Sequence, residues 1–185
     1  MLNKIASGLA ALAAAGFVTS AMAAGPGAPG SGEYTVDVNI DVQPVVSMWS
    51  NDDTITLTMD GADANNSATA ESSLSIINNV DAKIDAMVTG TLPAPIVSGG
   101  GINFFLFNNV NAADAVTAIS ANAYNPAGAL AWNASTLGSS QNLIASTGVH
   151  TSIANFPVTY ASAAPGEIPL PASYNLAVLY TIIAN

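Results

Sequence analysis

Residues 34–42 read Tyr-Thr-Val-Asp-Val-Asn-Ile-Asp-Val (YTVDVNIDV), the strictest alternation in the chain. Tyr34, Val36, Val38, Ile40 and Val42 fall on one face, and Thr35, Asp37, Asn39 and Asp41 on the other. A period of two belongs to a β-strand with one buried face; a helix would scatter the same five residues around its axis. Pro44 bounds the strand, because proline has no N–H to give to a ladder.

Working outward, the same reading recurs at lower contrast. Thr54–Met59 places Ile55, Leu57 and Met59 on one side before Asp60-Gly61. Leu74–Ile77 is short, and Val80–Val88 alternates through Val80, Ala82, Ile84 and Ala86. Residues 102–107 (INFFLF) are apolar on both faces, as expected of a central strand. Residues 110–147 are rich in Ala, Asn and Ser without a clear period, and Ala112–Ala121 is expected to form one short helix or a loop insertion. Phe156–Ala161 predicts a further strand. Beyond a turn at Pro165–Pro171, Tyr174–Ile183 predicts a long final one with Tyr174, Leu176, Val178, Tyr180 and Ile182 on one face. Short strands at fairly regular spacing, without a long helix, predict an all-β, immunoglobulin-like β-sandwich.

Upstream of the decisive strand, residues 1–23 have the three parts of a cleavable secretory signal. Lys4 supplies the positive start, Ile5–Val18 the apolar run, and Ala21-Met22-Ala23 the small-residue cleavage site. The run is broken by Ser7 and Gly8 and falls short of the roughly 20 strongly apolar residues of a spanning helix. Residues 24–32 (AGPGAPGSG) form a Gly/Pro leader with nothing large enough to pack, expected to be flexible. Residues 33–185 then make one β-sandwich domain. No later stretch is long and apolar enough for a transmembrane helix, so no integral membrane segment is expected after cleavage.

Composition narrows the function further. With twelve carboxylates against Lys83 alone, the chain beyond residue 23 carries a net charge of −11. Such a surface cannot neutralise phosphates, which argues against nucleic acid and anionic membranes. It also repels its own copies at long range, so self-association has to come from backbone pairing and apolar burial. Only 8% of residues are charged and 50% are hydrophobic, the reverse of a disordered chain. There is no cysteine, and stability must come from the core and from any bound partner.

Chemistry-bearing constellations are few. His150 is the only histidine, in a Ser/Thr-rich stretch without a G-x-S-x-G elbow, so neither a catalytic triad nor a metal site is expected. Residues 60–65 (DGADAN) have oxygen ligands at alternate positions, but the glycine is misplaced and no glutamate closes the loop, which reads as a solvated turn. Dispersed carboxylates such as Asp37 and Asp41 build a negative surface rather than a paired acid and base. The chain is therefore expected to be no enzyme and to need no cofactor. Trp49 and Trp132 are the candidate surface binding residues, able to stack on sugar rings if exposed.

The run GEYTVDVNIDVQPVVSM (residues 32–48) resembles the start of class 5 fimbrial major subunits, the colonisation-factor-antigen type of the alternate chaperone–usher pathway. PASYNLAVLYTIIAN (residues 171–185) is similar to their ending. The resemblance covers about a fifth of the chain, at its two ends. It implies a sandwich missing one strand, completed by the N-terminal strand of the next subunit. Residues 33–44 would be the donor strand, with Val36, Val38, Ile40 and Val42 filling the acceptor, Tyr34 extending them, and Pro44 ending it. It further implies a surface fibre serving adhesion, built from copies of this chain after export through the periplasm with a chaperone and an outer-membrane usher. The alternative reading is an exported monomeric binding module for a glycan or matrix partner, working through Trp49 or Trp132.

Overall fold

The computed structural model describes residues 37–59, 66–92, 101–165 and 173–185. The expected signal (residues 1–23), the Gly/Pro leader, Tyr34, Val36 and residues 60–65, read as a turn, lie outside these residues. The chain divides into two compact units, Met1–Ile40 and Asp41–Asn185. In the first, the described residues 37–40 are exposed and belong to no strand.

The second unit is an all-β sandwich of two antiparallel sheets. Its elements, in chain order, are β1 Val46–Ser50, β2 Ser67–Asn78, β3 Ala82–Gly90, β4 Asn103–Asn108, α1 Ala112–Ala121, β5 Ala129–Trp132, β6 Ser140–Ile144, β7 His150–Ala163 and β8 Leu176–Ala184. One sheet has the order β1-β2-β7-β4-β5 and the other β6-β3-β8.

Alternation explains the inner faces. On β3, Ala82, Ile84, Ala86 and Val88 are fully buried while Lys83, Asp85 and Met87 turn outward. Leu74 and Ile76 of β2, Phe104 and Leu106 of β4, and Val158 and Tyr160 of β7 face them from the larger sheet. Phe105 and Phe107 point the other way, and this is why residues 104–107 are apolar on both faces. They meet Ala115 and Ile119 of α1 and Ala161 and Ala163 of β7 in a second, smaller core. Ala115 and Ile119 are four apart, hence on one helix face. The Asn111 side chain caps α1, accepting from the Asp114 N–H at 2.9 Å.

Pro157 lies within β7, which has neighbours on both flanks. It is tolerated because β4 stops pairing at Asn108↔Val158, one residue short of it. Gly90 ends β3 at φ +126°, and a side chain there would collide with the Asn175 carbonyl just before β8. Asn78 is buried and holds the β2–β3 turn to the next loop, its amide donating to the Val80 and Gly148 carbonyls, both at 2.6 Å.

Of the expected strand Tyr34–Val42, residues 34–36 lie outside the described residues and residues 37–42 are in no strand; just beyond it the Gln43 carbonyl and the Val45 N–H bond the Asn79 side chain. Residues 54–59 are likewise outside every ladder, although Ile55, Leu57 and Met59 pack half-buried against the core. The unmarked region 110–147 yields the expected helix Ala112–Ala121 and also β5 and β6, strands too short and too rich in small residues to show a period. Among the described residues no helix is long and apolar enough to cross a membrane.

Candidate functional site

The C-terminal strand β8 pairs with β3 along its whole length, from Gly90↔Leu176 to Ala82↔Ala184. Its other flank has no hydrogen-bonded neighbour among the described strands. The inward row Leu176, Val178, Tyr180 and Ile182 stays only half-buried, whereas the matching row of β3 is fully buried. Beside β8, at the edge of the other sheet, runs β1, which packs near it without pairing to it. Met48 of β1 and the unpaired row Ile55, Leu57 and Met59 are half-buried against the same core.

The opposite margin is closed. There the Gln141 amide of β6 donates to the Ala131 carbonyl of β5 at 2.8 Å. The Trp132 indole N–H donates to the Ser139 carbonyl at 2.9 Å, and the Gly138 N–H to the Val88 carbonyl at 2.8 Å. One margin is thus latched by side chains and a tight loop; at the other, among the described residues, the outer flank of β8 is unpaired and its inward row half-buried.

Tyr180 ties the open edge to the far sheet. Its hydroxyl donates to the Tyr160 hydroxyl at 2.7 Å across the sandwich, and Phe104 packs on Tyr160 with ring centroids 6.4 Å apart. Burial raises both phenols above the ordinary tyrosine range, with the Asp52 carboxylate adding to the effect on Tyr160. Both stay neutral at physiological pH, and the pair acts as a hydrogen-bonded strut.

The end of β8 is clasped by Asp81. This carboxylate accepts from the Asn185 amide at 2.8 Å, the Ser146 hydroxyl at 2.9 Å and the Gly148 N–H at 2.8 Å. The side chains of Asn185 and Ser146, in that order, hold its pKa below the ordinary carboxylate range. Because the folded value is depressed, the stabilisation is present above the unfolded carboxylate pKa and is lost as pH falls through the folded one. We expect acidification through the carboxylate range to free the end of β8 before the core melts. Amide exchange at Gly148 and Asn185, followed against pH, checks this; protection independent of pH would contradict it.

The Asp85 pKa is also lowered, chiefly by the Asn142 amide at 2.9 Å and then by Lys83 at 3.5 Å, an exposed ion pair that adds little stability. His150 places Nε2 2.6 Å from the Thr147 carbonyl and its ring edge-on to Phe156, a structural position. Among the described residues no three His, Asp or Glu side chains gather as a metal site requires.

Of the residues expected to form a donor strand, Tyr34 and Val36 lie outside the described residues. Val38, Ile40 and Val42 are 75%, 83% and 73% exposed, and Pro44 is exposed too. The two tryptophans part company. Trp49 on β1 is 41% exposed, on the outer face of the larger sheet. Trp132 is 1% exposed, packed on Phe104 with its N–H satisfied, and this corrects the expectation that it is a surface binding residue. Asp81, Tyr160 and the Asn78 pin were not singled out in the sequence. The only trace was the Asn78-Asn79 pair closing a strand, which marks a turn but not what it holds.

Compared with protein-family models and with characterised proteins, the chain matches neither.

Proposed function

We propose that this chain is a structural subunit of a secreted surface fibre, assembled by donation of residues 33–44 to the sandwich of the next copy, and that the fibre serves adhesion. One contrast carries the reading: the described part of the most strongly alternating stretch, residues 37–42, is exposed and in no strand, while among the described strands β8 has an unpaired flank and a half-buried apolar row. A strand added there would meet both needs, its N–H and C=O groups completing a ladder and its side chains covering the core. Burying Tyr34, Val36, Val38, Ile40 and Val42 is worth up to about 7–15 kcal/mol, the scale of a domain's whole stability.

The charge pattern supports the same mode. At −11 the mature chain has no long-range attraction for its own copies, so a joint must rest on backbone pairing and apolar side chains, which is what strand donation supplies. The resemblance at the two chain ends points to class 5 fimbriae, and with it to export through the periplasm by a chaperone and usher. The chaperone would cover the β8 edge until the next donor arrives. Neither catalysis nor a cofactor enters this reading.

The variant Ile40→Asp tests it. A carboxylate buried in an apolar acceptor without a partner costs more than an unpaired neutral amide or hydroxyl, for which the cost is already roughly 2–7 kcal/mol. We expect the variant to remain monomeric while wild type forms denaturant-resistant polymers, as read by size-exclusion chromatography and unheated gels. Polymers of undiminished length would contradict the proposal.

A further inference from the structure

The outer face of the larger sheet is divided in two. Over β4, the end of β7 and the first half of β2 it is sheathed by α1, while among the described residues α1 leaves uncovered the part built by β1, the second half of β2 and the start of β7. Across the uncovered part, register aligns Trp49 with Ser75 and Ser75 with Asn155, one row spanning three strands and about 10 Å. The row is pre-ordered. The Ser75 hydroxyl lies 2.9 Å from Asn51 Oδ1 and 2.7 Å from Asn155 Oδ1, and the Asn51 amide donates to the Ser73 hydroxyl at 2.6 Å. Asn51, tied to both Ser73 and Ser75, is fixed in place, and the exposed Asn155 carboxamide, in contact with the same single-hydrogen Ser75 hydroxyl, keeps hydrogen-bonding capacity for a ligand.

The next rows along the same face, reached through Pro157 and Ser73, lead to a depression of about 290 Å³ where the loop before α1 overhangs β2 and β7. Glu71, Asn109, Asn111 and Thr159 line it. Its walls are held by backbone-anchored bonds: Asn109 N–H to the Pro157 carbonyl at 2.9 Å, Ala112 N–H to Glu71 Oε1 at 2.6 Å, and the Thr159 hydroxyl to the Val110 carbonyl.

From this juxtaposition we propose that the Trp49 face is a binding site for a neutral glycan. An exposed indole offers a flat apolar surface for the C–H face of a pyranose, fixed amides and hydroxyls address the ring hydroxyls, and a small polar depression one or two rows away takes the adjoining residue. Charge sets the class of sugar. Glu71 flanks the site, while Lys83, the sole cation of the mature chain, is on the other sheet. Sialylated or sulfated glycans are repelled, and neutral ones are not. The same repulsion disfavours a second copy of this chain as the occupant. The site lies on the outer surface of one sheet and does not depend on strand donation at the β8 edge.

The test is a titration of the full mature protein with neutral oligosaccharides and their sialylated counterparts, read by tryptophan fluorescence and by the Asn155 side-chain NMR signals. Trp132 is buried and gives a constant background, so a spectral change reports Trp49. We expect saturable binding of a neutral glycan. Trp49→Ala should weaken it by at least about tenfold, and Asn155→Ala by about three- to tenfold, with Trp49→Phe retaining part of it. Both positions are exposed, and unchanged cooperative melting of each variant confirms that it folds. The proposal is overturned by absence of neutral-glycan binding, by equal or stronger binding of the sialylated form, or by binding that Trp49→Ala leaves intact. It is equally overturned if Trp49→Ala changes the association state instead, which would make the face a contact between copies.

Discussion

A chain lacking residues 24–43 is expected to bind a synthetic peptide spanning Glu33–Gln43 and to gain several kcal/mol of stability from it. The deletion leaves every described strand of both sheets, so the sandwich retains its own core. What it cannot do is cover the half-buried row Leu176, Val178, Tyr180 and Ile182, or complete the ladder at β8. The peptide supplies both, with up to about 7–15 kcal/mol of side-chain burial available before the entropy of ordering it is subtracted. Chemical denaturation with and without peptide measures the gain. A peptide carrying Asp at the Ile40 position should give none, since an unpaired carboxylate in the apolar row offsets most of what the other side chains contribute. A deleted chain that is as stable as the full one and indifferent to peptide would contradict the account.

Trp132→Ala is expected to cost about 3–5 kcal/mol, enough by itself to unfold a marginal domain. The indole is the largest fully buried side chain, packs against Phe104 at 6.4 Å between centroids, and donates to the Ser139 carbonyl at 2.9 Å. Its loss leaves a cavity between the sheets and an unsatisfied carbonyl in the loop that latches the closed margin. Trp49→Ala, by contrast, should alter stability by no more than about 0.5 kcal/mol, as exposed substitutions usually do. Urea denaturation of the two variants side by side measures the difference. Equal effects would mean that the two tryptophans are not divided between core and surface as described.

The contrast between these two residues shows where the sequence could be read and where it could not. Strands with one buried face were legible because the pattern repeats every two residues. Val80–Val88 and Tyr174–Ile183 mark β3 and β8 to within a few residues. The doubly apolar INFFLF segment announced burial on both faces, though not that a helix supplies the second cover. Trp132 stands in ALAW, four residues without polar punctuation, and only tertiary pairing with Phe104 decides that it goes inward. The clasp at Asp81 joins positions 81, 146, 148 and 185, a closure made by topology alone. Alternation likewise cannot say with what a strand pairs. Tyr34–Val42 has the best strand pattern in the chain, yet its described part pairs with nothing, and that discrepancy is the observation on which the fibre proposal turns.

Hydrogen exchange of the chain from residue 24 onward, followed by mass spectrometry from dilute to concentrated solution, tests that proposal most directly. The account predicts that amides of residues 33–44 exchange freely in the monomer and become strongly protected only as larger assemblies form, together with those on the open flank of β8. A protein that stays monomeric at every concentration, melts cooperatively and already protects residues 33–44 would contradict it.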